Sequence, residues 1–237
     1  MATIADNLQA VKARLERAAI AARRAPASVT LLAVSKTQPA AAIEEARAAG
    51  QRAFGENYVQ EALEKMDSME PRAQGVPGLE WHLIGPLQSN KTKLAAERFD
   101  WVHTVASEKI ARRLSEQRPA ALAPLNVLIQ VNVSGEATKA GVSPAEVLAL
   151  SQKTSSLKGL RLRGLMAIPE PTPDTGLQRA RFHAVQEIFN DLREEFAFDT
   201  LSMGMSDDME SAIAEGATLV RIGTAIFGQR KKVKSAA

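Results

Sequence analysis

Lys36 is the residue whose type and position most directly suggest covalent chemistry. It follows the first apolar run of the chain, Val29–Val34, and so lies at the mouth of a predicted buried strand. Desolvating an ammonium group is costly, so burial lowers the pKa of a lysine. The neutral amine that results is nucleophilic, which is how proteins make lysines that form Schiff bases. The alternative is that Lys36 is an ordinary solvated surface charge.

Two glycine-containing loops near the end of the chain could bind a phosphate group. Ser202–Asp208 joins a predicted strand to a helix, and Val220–Thr224 ends the last predicted strand. Glycine permits close backbone approach, and the free N–H groups at a helix start suit an anion. Ser206 could donate to a phosphate oxygen, although a Ser before a helix is also a common N-cap.

Arg221 lies in the last predicted strand, and we expect it to point into the mouth of the barrel that the order of strands and helices, described next, predicts. It could form a buried ion pair, or it could be a fixed cation beside a ligand. Lys36, a phosphate-binding loop and an inward Arg together suit pyridoxal 5′-phosphate, with the aldehyde on the lysine and the pyridine nitrogen facing Arg221. An Arg only donates and would leave that nitrogen unprotonated, which predicts modest chemistry or none.

The elements that position these residues alternate along the chain. Strands alternating with helices predict a parallel sheet covered by helices, and eight such units without a visible break predict a single (β/α)8 barrel. A doubly wound open sheet is the alternative, but no Gly-x-Gly-x-x-Gly follows the first strand. The eight predicted strands are Val29–Val34, Arg52–Gly55, Trp81–Ile84, Trp101–Val105, Val127–Val133, Leu160–Ile168, Thr200–Met203 and Leu219–Ile222.

Helical segments are predicted between these strands, and an additional amphipathic helix precedes the first one. That N-terminal helix begins near Thr3, which with Asp6 resembles a capping box, and we expect it to cover the gap left by the short segment after the eighth strand. The other helices are predicted from Pro39 to near Gly50 and over Tyr58–Met69, Asn90–Arg98, Ser107–Gln117, Pro144–Ser155, Leu177–Phe196 and Asp207–Glu215.

Composition limits the function class. The 237 residues are 45% hydrophobic and 24% charged, contain no Cys, and show no signal peptide or membrane-spanning stretch, which favours a cytoplasmic protein without disulfides. The formal net charge is +3, and removing the four cations of the tail leaves −1, so no basic face for nucleic acid is expected. We expect one domain over 1–237, a frayed basic tail from about 229, and a monomer.

Several other residues are weaker candidates. Asn57 could hydrogen-bond a ligand or simply occupy a turn, and Met166 could contact a ring but is more often core. The three histidines, His82, His103 and His183, are scattered and have no acidic partners at the spacing of metal ligands, so no metal site is expected. Lys139 could be a second, looser aldehyde site, and Pro169–Pro173 could act as a lid.

Long motifs in a fixed order give the chain a family resemblance from about Leu31 to Gly228. It resembles the pyridoxal phosphate homeostasis proteins, which are related to the barrel domain of bacterial alanine racemase. Where many members continue Phe-Gly with Arg-Asp-Tyr, this chain has Gln229-Arg230-Lys231. The motifs are Ala33–Lys36, Phe54–Tyr58, Trp81–Lys91, Gly164–Ile168, Leu201–Ser206 and Val220–Thr224.

The resemblance implies a (β/α)8 barrel that holds pyridoxal 5′-phosphate as a Schiff base on Lys36. It implies phosphate contacts from Ser206, Gly223 and Thr224 and places Arg221 at the pyridine nitrogen. It also implies a carrier or buffer of the cofactor in vitamin B6 and amino-acid homeostasis, without clear catalytic turnover, with apo-enzymes as potential recipients. Beside these we count Asn57, Met166 and Ser202 as candidate cofactor contacts.

Two enzymatic functions remain as alternatives. An amino-acid racemase needs a proton donor on each face of the substrate carbon, and the chain has a single tyrosine, Tyr58, with no residues left for the additional β domain of the related racemases. A Schiff-base aldolase-type lyase would use Lys36 on a sugar phosphate without a cofactor. The colour of the purified protein separates these, because a cofactor imine is yellow and a sugar imine is not.

Overall fold

The strands form a closed barrel. The computed structural model describes residues 2–69, 78–133 and 140–228. Each strand pairs in parallel with the next, and β8 pairs with β1, so the predicted barrel is confirmed and the open sheet is wrong. The strands are β1 Thr30–Val34, β2 Ala53–Glu56, β3 Glu80–Leu83, β4 Trp101–Val105, β5 Leu125–Val131, β6 Leu160–Ala167, β7 Thr200–Ser202 and β8 Leu219–Ile222.

Helices surround the barrel, each after its strand, and one precedes it. Three short 3₁₀ turns lie at Pro26–Ser28, Ser89–Lys91 and Pro144–Glu146. Within the described ranges, none of the helices combines the length and hydrophobicity that crossing a membrane requires. The helices are α1 Ile4–Ala21, α2 Ala40–Ala48, α3 Val59–Ser68, α4 Thr92–Arg98, α5 Glu108–Gln117, α6 Val147–Ser155, α7 Thr175–Phe196, α8 Met209–Ala214 and α9 Thr224–Phe227.

Helix α1 fills the gap beside the short α9, as the sequence predicts. The Thr3 hydroxyl accepts from the Asp6 N–H and the Asp6 carboxylate accepts from the Thr3 N–H, which is the predicted capping box. The Asn7 amide donates to the Ile226 carbonyl oxygen of α9 at 3.0 Å. The amphipathic spacing of α1 therefore buries one face against the last two helices of the barrel.

Side chains alternate between the barrel interior and the helix-facing surface, as parallel strands covered by helices require. Inside the barrel, one apolar cluster contains Leu32, Ala53, Ile84 and Leu219, and a second contains Trp101, Leu128 and Met166. The larger core lies between the outer surface of the sheet and the helices. Alternate residues of each strand therefore point into the barrel, and the residues at the strand ends line the barrel mouth.

Several boundaries differ from the predicted ones, and the reason can be identified for two of them. Helix α8 begins at Met209 rather than at Asp207, because the Asp208 side chain accepts the Met205 N–H and holds the preceding residues in a loop. Strand β5 ends at Val131 rather than Val133, because the Asn132 N–H bonds to the Val142 carbonyl oxygen. The predicted frayed tail and Lys139 lie outside the described residues.

Candidate functional site

Lys36 lies two residues beyond β1, at the end of the barrel where the strands terminate, and it is half-buried. The backbone on either side of Lys36 is held by hydrogen bonds. The Ser35 N–H donates to the Gly55 carbonyl oxygen at 2.9 Å, and the Gln38 N–H donates to the Ser35 carbonyl oxygen at 3.0 Å. Thr37 has a φ of 64°, a left-handed conformation that is unusual for a β-branched residue. The backbone that presents Lys36 is therefore constrained on both sides.

A buried ammonium group supports this loop from behind. The Lys65 Nζ, on α3, donates to the Ser35 carbonyl oxygen at 2.8 Å, to Glu56 Oε1 at 2.8 Å and to Glu61 Oε1 at 2.6 Å. The Ser35 hydroxyl donates to Glu56 at 2.6 Å, and the Thr37 N–H donates to Glu61 at 2.5 Å. We call Ser35, Glu56, Glu61 and Lys65 the Lys65 cluster.

The sequence analysis did not predict the Lys65 cluster, although one signal was present. Glu61 and Lys65 are spaced i, i+4 on one helix, which favours an ion pair. Their contact with Glu56 depends on the packing of α3 against β2, which spacing does not reveal. Burial raises the pKa of the Glu56 carboxyl, while Lys65 and then Ser35 act to lower it.

The loop after β7, which the sequence predicts as part of a phosphate site, depends on a glycine. Gly204 has a φ of +94°, and a Cβ there would lie 2.5 Å from the Ala212 Cβ, so glycine is required. The Ser206 carbonyl oxygen accepts from Arg14 at 2.8 Å. Among the described residues the Ser206 hydroxyl has no hydrogen-bond partner, and Ser206 is not the helix N-cap, which is Asp208.

The loop after β8 lies beside the end of β1. Ala33 pairs with Ile222, and Gly223 packs against Val34, so Lys36 and Gly223 follow neighbouring strands at the same end of the barrel. Thr224 is exposed and begins α9, where the first N–H groups have no partner within the helix. The closed barrel thus brings Lys36 and the two predicted phosphate loops to one face.

Arg221 lies inside the barrel below these loops, with only 3% of its surface exposed. Its Nη1 donates to the Ser202 hydroxyl at 2.7 Å and its Nη2 to the Ala167 carbonyl oxygen at 2.9 Å. Burial lowers the pKa of the guanidinium to about 10, and the more distant Asp208 carboxylate partly opposes this. None of the described carboxylates forms an ion pair with it, so the alternative of a buried ion pair is wrong.

The hydroxyl of Ser202 continues this contact into the barrel. Ser202 Oγ lies 3.1 Å from His103 Nδ1, and His103 Nε2 lies 2.8 Å from His82 Nδ1. His82 Nε2 lies 2.6 Å from Glu80 Oε1, at the other end of the barrel. We call Arg221, Ser202, His103, His82 and Glu80 the interior chain.

The expectation that the histidines are scattered is therefore wrong for His82 and His103, which contact each other. His82 contacts Glu80 and His103, and His183 contacts Glu215 at 3.0 Å. Glu80 and His82 are two residues apart on β3 and so share the interior face, a spacing that could have indicated their contact. In the part of the chain that the structure describes, no group of three or more His, Asp or Glu could hold a metal ion.

The electrostatics of the interior chain are set by burial. Desolvation, followed by the charges of His82 and Arg221, holds the pKa of His103 well below its usual value of 6.5. The hydrogen bond from His82 lowers the pKa of Glu80. His103 is therefore a neutral imidazole and Glu80 a carboxylate near neutral pH.

The weaker candidates lie in different surroundings. Asn57 follows β2 and its backbone packs directly against Gly85, where a side chain would collide with it. Met166 is fully buried against Trp101 and Leu128 and pairs in register with Ser202. Both stay predictions as ligand contacts. The hydroxyl of Ser202 is already engaged by Arg221 and His103, which gives Ser202 a role in holding Arg221.

The predicted lid is attached to the helix that follows it. The Arg181 guanidinium donates to the Glu170 carbonyl oxygen at 2.7 Å, and the Gln178 amide donates to the Thr172 carbonyl oxygen at 2.8 Å. Both donors belong to α7. A lid function for this loop stays a prediction.

Comparison with known proteins places this geometry in a family. The family model for the N-terminal domain of alanine racemase matches residues 6–231. A pyridoxal phosphate homeostasis protein of Pseudomonas aeruginosa is 60% identical over 230 residues, 97% of each chain, and one of Vibrio cholerae is 54% identical over the full length of both. The chain belongs to the pyridoxal phosphate homeostasis protein family.

Solved structures agree with this assignment. PipY of Synechococcus elongatus, solved with pyridoxal phosphate bound, is 39% identical, with a TM-score of 0.82 over 95% of this chain and all of that one. Alanine racemase of Corynebacterium glutamicum is 17% identical, with a TM-score of 0.68 over 95% of this chain and 60% of that one. The second likeness concerns the fold alone. The family and barrel predicted from the sequence are both confirmed.

Proposed function

We propose that this protein binds pyridoxal 5′-phosphate as a Schiff base on Lys36 and buffers or delivers it, without catalytic turnover. The observation that carries the proposal is Arg221, a buried cation with neutral partners, set below the face that presents Lys36. A buried charge without a counter-ion is costly, so its retention favours a ligand that uses it. The names of the curated relatives and the cofactor-bound PipY structure support the same ligand.

The residues present fit this cofactor. Lys36 supplies the amine that condenses with the aldehyde, and the Lys65 cluster holds its backbone in place. Ser206, with a hydroxyl that has no partner among the described residues, and the backbone of Gly223 and Thr224 supply donors for the phosphate. Asn57 and Met166 are proposed as contacts at the edge of the ring, and Ser202 acts through Arg221.

The choice of Arg at the pyridine nitrogen argues for storage over catalysis. The bound cofactor supplies an electron sink, whose strength depends on protonation of its ring nitrogen. Arg221 has donor groups and no acceptor, so at neutral pH it donates to that nitrogen and does not protonate it. The protein therefore keeps the carbon chemistry of the cofactor weak while it keeps the aldehyde captured.

The racemase alternative lacks a well-placed second proton donor. Tyr58 is the single tyrosine, and it is 60% exposed at the start of α3. A proton donor on each face of a substrate carbon must be held within hydrogen-bonding reach of that carbon. We therefore expect no turnover of alanine, and turnover that is abolished in Tyr58→Phe would contradict the proposal.

The decisive experiment is the visible absorbance of the purified protein with added pyridoxal 5′-phosphate, before and after borohydride, followed by peptide mapping. We expect a yellow band that disappears on reduction and leaves the modification on Lys36. In Lys36→Ala the band should be lost while some cofactor stays bound through the phosphate loops. Lys93→Ala, an exposed lysine on α4, is the matched control and should behave as wild type.

A colourless protein that takes up no cofactor would contradict the proposal and favour the sugar-phosphate lyase. Delivery is tested separately by mixing the loaded protein with an apo-enzyme that requires the cofactor and following its activity. Transfer faster than from an equal concentration of cofactor released into solution supports delivery, and transfer at the release rate supports buffering alone. Sedimentation of the loaded protein tests the predicted monomer.

A further inference from the structure

The interior chain links the guanidinium of Arg221 to a carboxylate at the opposite end of the barrel through four successive hydrogen bonds. The links join Arg221 to Ser202, Ser202 to His103, His103 to His82 and His82 to Glu80, with separations between 2.6 and 3.1 Å. Four of the five residues are buried, and only Glu80 reaches solvent. The proposed function uses Arg221 but leaves the two histidines and Glu80 without a role.

When each imidazole ring carries a single hydrogen, the direction of every bond in the interior chain follows from Glu80. An ionised carboxylate only accepts, so His82 carries a hydrogen on Nε2, and a His82 ring with a single hydrogen then presents Nδ1 as an acceptor. His103 must then donate from Nε2, and because it is neutral its Nδ1 is also an acceptor. Ser202 must donate its hydroxyl hydrogen to that nitrogen, which leaves its oxygen lone pairs for Arg221.

The residues that pack against the interior chain are compatible with this arrangement. The His82 ring stacks on Trp101 with centroids 5.2 Å apart and an interplanar angle of 7°. The Arg163 guanidinium lies 4.7 Å from the centre of the same indole ring, on the side of the barrel that holds Glu80. A nearby cation favours the ionised form of Glu80, and the stacking limits rotation of His82.

We propose that His82 and His103 are positioning residues through which Glu80 fixes the Ser202 hydroxyl and so aims Arg221 at the cofactor. The inference rests on the proposed function, since it gives Arg221 a ligand to face. The alternative is that the two histidines only fill the barrel. A filling role depends on side-chain volume, and a positioning role depends on which ring nitrogen carries hydrogen.

The first test reads the tautomers in the free protein. The chain has three histidines, so ¹⁵N-histidine labelling gives a spectrum simple enough to assign with single variants. At pH 7.5 we expect hydrogen on Nε2 of both His82 and His103, and none on Nδ1 of His103. Hydrogen on Nδ1 of His103, or a doubly protonated His103, would overturn the proposal whether or not the protein binds a cofactor.

The second test changes Glu80, the end of the interior chain farthest from Arg221. Glu80→Gln should release the tautomers of both histidines, because an amide can donate or accept. With pyridoxal 5′-phosphate we expect weaker binding by about two- to fivefold, or a displaced absorbance band. Glu194→Gln, an exposed carboxylate of α7, is the control and should match wild type. Unchanged His103 signals together with unchanged binding in Glu80→Gln would overturn the proposal.

The third test separates positioning from filling at His103 itself. An Asn amide lies near the place of Nδ1 and can still serve Ser202, whereas a Gln amide lies near the place of Nε2 and faces His82. Positioning predicts that His103→Asn binds pyridoxal 5′-phosphate more tightly than His103→Gln, by about threefold or more. Filling predicts equal binding or the reverse order, because Gln replaces more volume. No cofactor uptake by the wild type would instead overturn the proposed function.

Discussion

The side chains of Lys65 and Arg221 are both buried cations at the same end of the barrel, but their partners differ. Lys65 contacts two carboxylates and a carbonyl oxygen, whereas Arg221 contacts a hydroxyl and a carbonyl oxygen and forms no ion pair with the described residues. A cation whose charge is neutralised by its neighbours serves the fold. We propose that Arg221, which is held by neutral groups, keeps its charge for a ligand, whereas the Lys65 cluster supports the fold.

Removing the charge of Lys65 tests the difference between the two cations most directly. Lys65→Met should leave Glu56 as an uncompensated buried carboxylate and the half-buried Glu61 without its ion-pair partner, at a cost of roughly 3–5 kcal/mol in the free energy of unfolding. Denaturant titration measures this loss. The double variant Lys65→Met, Glu56→Gln should recover part of it, while Lys93→Met on the exposed surface of α4 should cost almost nothing. A loss below about 1 kcal/mol would show that the cluster is not a coupled ion pair.

Removing Arg221 should do less to the fold and more to the ligand. Arg221→Met leaves the Ser202 hydroxyl and the Ala167 carbonyl oxygen without a donor, but no carboxylate, so we expect a loss of about 1–3 kcal/mol in stability. Affinity for pyridoxal 5′-phosphate should fall at least tenfold. Absorbance titration and denaturant titration of the same preparation give both numbers. Equal cofactor affinity in wild type and variant would make Arg221 a structural residue like Lys65.

Arg221 and Lys36 show what could be predicted from sequence. Arg221 was expected to point inward because alternate residues of a barrel strand share one face, and Lys36 was found because it ends a buried apolar run. The eight strands followed from the same apolar runs, and the short loops between them left little freedom in their order.

The network behind Arg221 was missed for a physical reason. Which interior residues meet across a barrel depends on the stagger between neighbouring strands, and in this barrel His82 pairs with Trp101 rather than with His103. Periodicity within one strand does not fix that stagger. Burial also lies outside single-strand reasoning, and burial is what keeps His103 neutral. The same limit hid Glu56, whose partner Lys65 belongs to a helix packed on the outside of the sheet.

Acid should act on the two regions with opposite signs. The pKa of His103 is lowered by burial, so the unfolded chain binds a proton below pH 6.5 that the folded protein resists, and stability contributed by neutral His103 is lost as pH falls below 6.5. The pKa of Glu56 is raised, so its contribution is full below 4.5 and is lost as pH rises through its folded pKa.

Unfolding at pH 7.5 and 5.5 separates the two contributions. One buried neutral histidine should cost wild type about 1 kcal/mol over that interval, and His103→Asn should lose less of its own stability. Glu56→Gln removes the opposing contribution and should steepen the loss. If His103→Asn and wild type lose the same stability between these pH values, His103 does not titrate as the geometry requires.

The variant with the smallest expected effect tests whether the Lys65 cluster positions Lys36. In Glu61→Gln the amide oxygen can still accept from the Thr37 N–H, and Lys65 keeps Glu56, so stability should change by less than about 1 kcal/mol. The loop that presents Lys36 loses one charge-assisted hydrogen bond at a residue in a left-handed conformation. We therefore expect the effect of Glu61→Gln to appear in the rate at which the yellow band forms with pyridoxal 5′-phosphate, which rapid mixing measures. Glu64→Gln, an exposed neighbour on the same helix, is the control. An unaltered rate in Glu61→Gln would mean that the cluster supports the fold but does not position Lys36.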